Sequence, residues 1–186
     1  MTAVAVNRTG RMDQRLAALN ALDADQAATK LAACCASSRW VAALTAARPF
    51  GTVADLYSSA ARELAALDWP DILEALAAHP RIGSPATGTE PEAAWSRMEQ
   101  AGARETGAST AEALAAANAA YEAAFGFVFL IRAAGRSAQD MLASALDRLG
   151  HDEPTERLVV RDELAQIVRL RLDLLLDGFR QKAGEK

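Results

Sequence analysis

The chain has 186 residues and a formal net charge of −4, with 51% hydrophobic residues but only 5% aromatic ones. That length suits one domain, and the acidic balance argues against the basic stripe of a nucleic-acid-binding protein. No apolar run reaches the ~18 residues of a membrane helix, and MTAVAVNRTG lacks the apolar core and cleavage pattern of a signal peptide, so a cytoplasmic product with no membrane partner is expected.

Residues 1–11 show no periodicity and read as a flexible N-terminus; 12–180 reads as a single all-helical domain, and 181–186 as a flexible tail. Asp23 or Asp25 supplies an acidic N-cap for QAATKLAACCAS, rich in strong helix formers. Its neighbouring Cys34 and Cys35 point in different directions around a helix, which suggests buried thiols and neither a disulfide nor a zinc site. Ser37 or Ser38 caps RWVAALTAAR, ended by Pro49, and Thr52 caps VADLYSSAARELAAL, where Val53, Leu56, Ala60, Leu64 and Leu67 share a face. Asp68-Trp69-Pro70-Asp71 starts the next helix with proline in its first turn. That helix must stop near Ala78, because Pro80 pushes His79 out of the α region.

A helix is expected from about Pro91 to Ala103, and another from Ser109 or Thr110 through AEALAAANAAYEAAF to Gly126. The apolar FVFLIRA that follows is too short for a helix and reads as an extended crossing of the interior. Ser137 caps AQDMLASALDRL, Gly150 closes it, and Asp152 or Thr155 opens the long final helix. No period-two alternation persists and no repeat is visible. The fold class is all-α, a compact bundle of about eight helices with a short extended segment near 126–132.

Motifs for phosphate loops, dinucleotide folds, zinc proteases and serine hydrolases are missing, and two distant histidines make a histidine-rich metal site improbable. Any enzyme here is expected to work without a metal or cofactor, by acid–base and electrostatic means. His79, at the carbonyl end of a helix, is either a capping histidine or an imidazole poised near neutrality. Ser96, Glu99 and Gln100 share one helical face, which is either solvated or looks into a cleft, with Trp95 and Met98 as anchors behind it. The run FGFVFLIRA offers backbone N–H groups that no helix uses, either for a planar polar ligand or for internal pairing. Arg169 and Arg171 lie two apart on a helix, so one faces solvent and the other approaches the apolar face and needs a partner. His151, in GHDEPTE, reads as a solvated loop residue.

HPRIG at 79–83, SRMEQAG at 96–102, LAAANAAYEAAFGFVFLI at 114–131, GRS at 135–137 and ELAQIVRLRL at 163–172 together resemble the OHCU decarboxylase family. These enzymes act on 2-oxo-4-hydroxy-4-carboxy-5-ureidoimidazoline (OHCU), and the motifs fall in the family's order and at about its spacing. The resemblance implies an all-helical, cofactor-free enzyme of urate breakdown that converts OHCU to S-allantoin. It implies His79 and Glu99 as the catalytic pair. Pro80, Ser96, Gln100, Phe127, Ile131 (through its backbone) and Arg171 would bind substrate, and a homodimer is favoured. Val128 departs from the proline expected there, restoring a backbone N–H without removing a chemical group. The alternative from another class is a non-enzymatic helical module that binds a small ligand in the same cleft.

Overall fold

The computed structural model describes residues 13–83, 95, 98–99 and 107–184, the last four of these by backbone only. Among the described residues there are eight helices and no strand: α1 (Gln14–Asn20), α2 (Ala24–Cys34), α3 (Ser38–Ala46), α4 (Val53–Ala65), α5 (Trp69–Ala77), α6 (Ala108–Phe125), α7 (Ala138–Arg148) and α8 (Glu153–Gly184). None of the described helices is long and apolar enough to cross a membrane. The chain divides into two units, one of residues up to Asp71 together with Val168 onward, the other Ile72–Ile167.

Short-range hydrogen bonds set the helix starts. In the first unit Asp13, Asp23 and Ser37 accept from the backbone N–H two or three residues on, satisfying donors that a helix leaves open. Thr52 and Asp55 form a reciprocal capping box on α4. Asp68 and Asp71 do the same for α5, at 3.2 and 3.1 Å. Helix α1 was not anticipated from the sequence; Leu16 and Leu19 on it are fully buried. The Arg15 guanidinium beside Asp13 holds that carboxyl down at about 2.

Trp40 is fully buried and donates its indole N–H to Ala60 O at 3.0 Å, joining α3 to α4. Arg48 reaches Leu19 O and Leu22 O at 3.1 and 2.8 Å, so one guanidinium satisfies carbonyls at the end of α1. Cys34 and Cys35 are buried thiols, as expected.

In the second unit α6 begins at Ala108 with Gly107 as N-cap, ahead of the expected Ser109 or Thr110, and no side chain caps it. It ends where predicted, on Gly126 with φ +77°, a left-handed turn that glycine adopts without steric cost. Ser137 and Asp140 form the capping box of α7, and Asp152 receives Thr155 N–H at the head of α8. Between Gly126 and Ser137 the backbone is neither helix nor strand, which fits the expected extended segment. Backbone helicity in α8 continues to Gly184, past the point where the sequence pattern ends.

Candidate active site

Helix α5 stops at Ala77, and His79 N–H still donates to Leu76 O at 2.9 Å before Pro80 turns the chain. The His79 ring is buried, with Nδ1 2.9 Å from Ala75 O. A carbonyl oxygen only accepts, so Nδ1 carries a proton and donates it. Proton exchange by this imidazole is therefore confined to Nε2, which is itself buried. Of the two readings of His79, the capping one is met at Nδ1, which closes the last turn of α5 on Ala75 O.

The remainder of HPRIG is fastened to α6. Arg81 is exposed and makes a two-point contact with Glu122, at 2.5 and 2.7 Å, which draws the Glu122 carboxyl below its ordinary range. Asn118 is buried and donates to Ile82 O at 2.8 Å. Gly83 has φ +83°, where a side chain is strained, and a Cβ there would lie 3.4 Å from Leu114.

The same helix also packs against the FGFVFLI segment, through Tyr121. Tyr121 is fully buried, with its ring 5.8 Å from Phe127 and 5.2 Å from Phe129. Its hydroxyl donates to Glu156. Glu156, with no exposed surface, also receives Arg148 Nε at 2.9 Å and pairs with His151 Nδ1 at 2.8 Å. His151 is therefore bound to a buried carboxylate, not simply solvated as its loop sequence suggests. Arg148 passes Nη1 to Leu130 O at 2.8 Å, and Glu163 accepts Arg132 N–H at 2.7 Å. Side chains thus satisfy part of this irregular backbone, in keeping with the rule that buried backbone groups are paired. Asn118, Glu122, Arg148, Glu156 and Glu163 were not singled out from sequence.

Of the residues singled out, His79, Pro80, Glu99, Phe127 and Ile131 all lie in the second unit. Phe127 and Ile131 are buried, while Pro80 and Glu99 are half-buried. Ser96 and Gln100 fall outside the described residues. Trp95, Met98 and Glu99 have helical backbone, as expected, but Met98 is 56% exposed and does not anchor the helix. Arg171 belongs to the first unit, where it is buried with Nη1 3.4 Å from Ala33 O. Arg169 is the solvent-facing member of the pair, stacked on Tyr57 at 3.4 Å and bridged to Asp173. Among the described residues no three His, Cys, Asp or Glu side chains are grouped as metal ligands would be. A groove of about 560 Å³ lies between α2 and α3 and contains none of the candidate residues.

Both tyrosines of the chain are held protonated. Burial, then the Asp173 carboxylate that accepts a hydrogen bond from its hydroxyl, pushes Tyr57 up to about 12. Burial and Glu156 raise Tyr121 as well. Folded-state values above the unfolded one mean that this stability is complete below about pH 10 and is lost as pH rises beyond it. Phenolate absorbance at 295 nm is expected to stay low in the native protein at pH 10.5 and to rise on unfolding in urea. Half-ionisation of the native chain at pH 10 would contradict these environments.

Residues 20–173 match the family model described as OHCU decarboxylase. The uric acid degradation bifunctional protein TTL of Arabidopsis thaliana is 32% identical over 154 residues, covering 81% of this chain and 46% of that protein. The uric acid degradation bifunctional protein PucL of Bacillus subtilis (strain 168) is 28% identical over 155 residues, 83% of this chain and 31% of its own length. The chain thus spans less than half of either relative. Among solved structures, a crystal structure of OHCU decarboxylase in the presence of (S)-allantoin matches with a TM-score of 0.70 and 29% identity, over 80% of this chain and 98% of that one. A crystal structure of (S)-allantoin synthase, 18% identical with a TM-score of 0.64, covers 86% of this chain and 53% of that one and shares the fold.

Proposed function

We propose that this chain, which belongs to the OHCU decarboxylase family, removes CO2 from OHCU without a cofactor and yields S-allantoin. Its relatives named for uric acid degradation and the solved OHCU decarboxylase support that substrate. The observation that carries the chemistry is the bond from His79 Nδ1–H to Ala75 O: it fixes the ring and makes Nε2 the one atom through which this imidazole gains or loses a proton.

The reaction needs an electron sink. When the bond to the carboxylate breaks, its electron pair forms a double bond to the neighbouring ring carbon, and the ring C=N pair moves onto nitrogen, which takes up a proton. The hydroxyl then gives up its proton as the ring carbonyl forms, and the carbon bearing the ureido group accepts one on a single face. In this reading His79 Nε2, oriented with Glu99, works at the hydroxyl and the departing carboxylate, and one of the pair directs the final protonation. Ser96, Gln100 and the Ile131 N–H hold the polar edge of the substrate, with Pro80 and Phe127 as apolar walls. Arg171 grips a ring or ureido carbonyl, since a tight grip on the carboxylate would stabilise the ground state and slow CO2 loss. A homodimer completes the reading, and Leu146 and Leu158, 56% and 66% exposed, are apolar surface available to it.

OHCU generated in situ and followed by circular dichroism tests the proposal. The protein is expected to produce S-allantoin faster than the spontaneous, racemic decay. Progress curves and optical activity identical to a protein-free control would overturn it.

A further inference from the structure

We propose that the buried Arg148–Glu156 pair is a positioning device that aims the Ile131 amide at a substrate oxygen. This rests on the reading of the Ile131 backbone as a substrate contact. Stability alone is a poor account of the pair, because an apolar pair of similar volume commonly serves a core as well or better. Arg148 and Glu156 are 5% and 0% exposed. Glu156 takes Arg148 Nε and Nη2 on Oε1, at 2.9 and 2.5 Å, while Tyr121 and His151 hold the same carboxylate. That arrangement leaves Nη1 to point at Leu130 O, 2.8 Å away, with the guanidinium carbon 4.7 Å from the Phe129 ring centre.

Leu130 C=O and Ile131 N–H belong to one planar, trans peptide group, so they point in opposite directions. Holding the oxygen therefore sets the direction of the N–H. The peptide that follows is held too, because Glu163 accepts Arg132 N–H at 2.7 Å. Ile131 sits between two peptide planes, each fixed by a charged side chain from α7 or α8. Among the described residues its amide forms no backbone hydrogen bond, although the residue is only 3% exposed. A buried N–H aimed in this way suits a carbonyl oxygen of a flat ligand. Arg148 touches no substrate in this arrangement and acts through the peptide.

Arg148→Lys tests it, since one ammonium can face Glu156 but cannot span both Glu156 and Leu130 O. The expected result is a KM for OHCU raised about tenfold with kcat within about twofold, the pattern of lost uniform binding, and faster hydrogen exchange at the Ile131 amide by 15N NMR. The double variant Arg148→Met/Glu156→Leu restores a neutral core. It still leaves the Tyr121 hydroxyl and Leu130 O without these partners, so its melting temperature is expected to lie below that of the parent protein but above that of Glu156→Ala, and it is expected to show the same KM and exchange changes. A purely structural role would lower kcat through loss of folded enzyme at unchanged KM. Unchanged KM and Ile131 exchange in the double variant, or failure of both variants to fold, overturns the proposal. Absence of OHCU turnover by the parent protein overturns the functional reading instead, while amide exchange still reports on the positioning.

Discussion

Replacing His79 with asparagine is expected to bring OHCU turnover down to the spontaneous rate while leaving the protein folded. The side-chain amide of asparagine can stand where Nδ1 stands and donate to Ala75 O, so the contact that closes α5 is kept. What it lacks is a group that titrates at the place of Nε2. A positioned acid or base supplies ~10²–10⁴-fold, and that is the loss predicted, with kcat falling and KM little changed. His79→Gln places an amide nearer Nε2 and gives up the Ala75 contact; it too is expected to be inactive, and less stable. The allantoin formed in either case is expected to be racemic. Stereospecific product at more than about a tenth of the parent rate from His79→Asn would remove this imidazole from the chemistry.

Local signals made the fold readable. Caps at Asp23, Thr52, Ser137 and Asp152 act on donors three residues away, and Pro80 acts on the residue before it, so each is written within one helical turn. Helix α1 escaped because seven residues hold too few turns for a periodic pattern. Gly107 escaped because it caps α6 through backbone geometry, without a side-chain bond. At the site, His79 and the FGFVFLI segment were legible from a helix stop and an apolar run without helical length. The groups that hold them were not. Tyr121 meets Glu156 across 35 residues, Asn118 meets Ile82 across 36, and Arg148 meets Leu130 across 18. Nothing within a helical turn of Glu156 tells it from the other acids near the start of α8. His151 looked solvated for the same reason, since its partner is on the next helix and not in its own loop.

Glu156→Ala is expected to be the most damaging single change in the second unit. The mutation takes away one carboxylate and strands three donors: the Arg148 guanidinium, the Tyr121 hydroxyl and the His151 imidazole. Arg148 has almost no access to water, and a buried charge that loses its partner costs about 3–5 kcal/mol. At ~2–4 °C per kcal/mol for a chain of this size, the melting temperature falls by on the order of 10 °C. Tyr121→Phe removes one donor and leaves the carboxylate bonded to Arg148 and His151, so about 1.5 kcal/mol is expected, the low end for a hydrogen bond to a charge. His151→Ala, at a partly exposed position, is expected to cost at most about 1 kcal/mol. Urea melts of the three variants should therefore rank Glu156→Ala well above Tyr121→Phe, and Tyr121→Phe above His151→Ala. If Glu156→Ala were no worse than Tyr121→Phe, the carboxylate would not be the centre on which the guanidinium depends, and Leu130 O would have to be held in place by some other means.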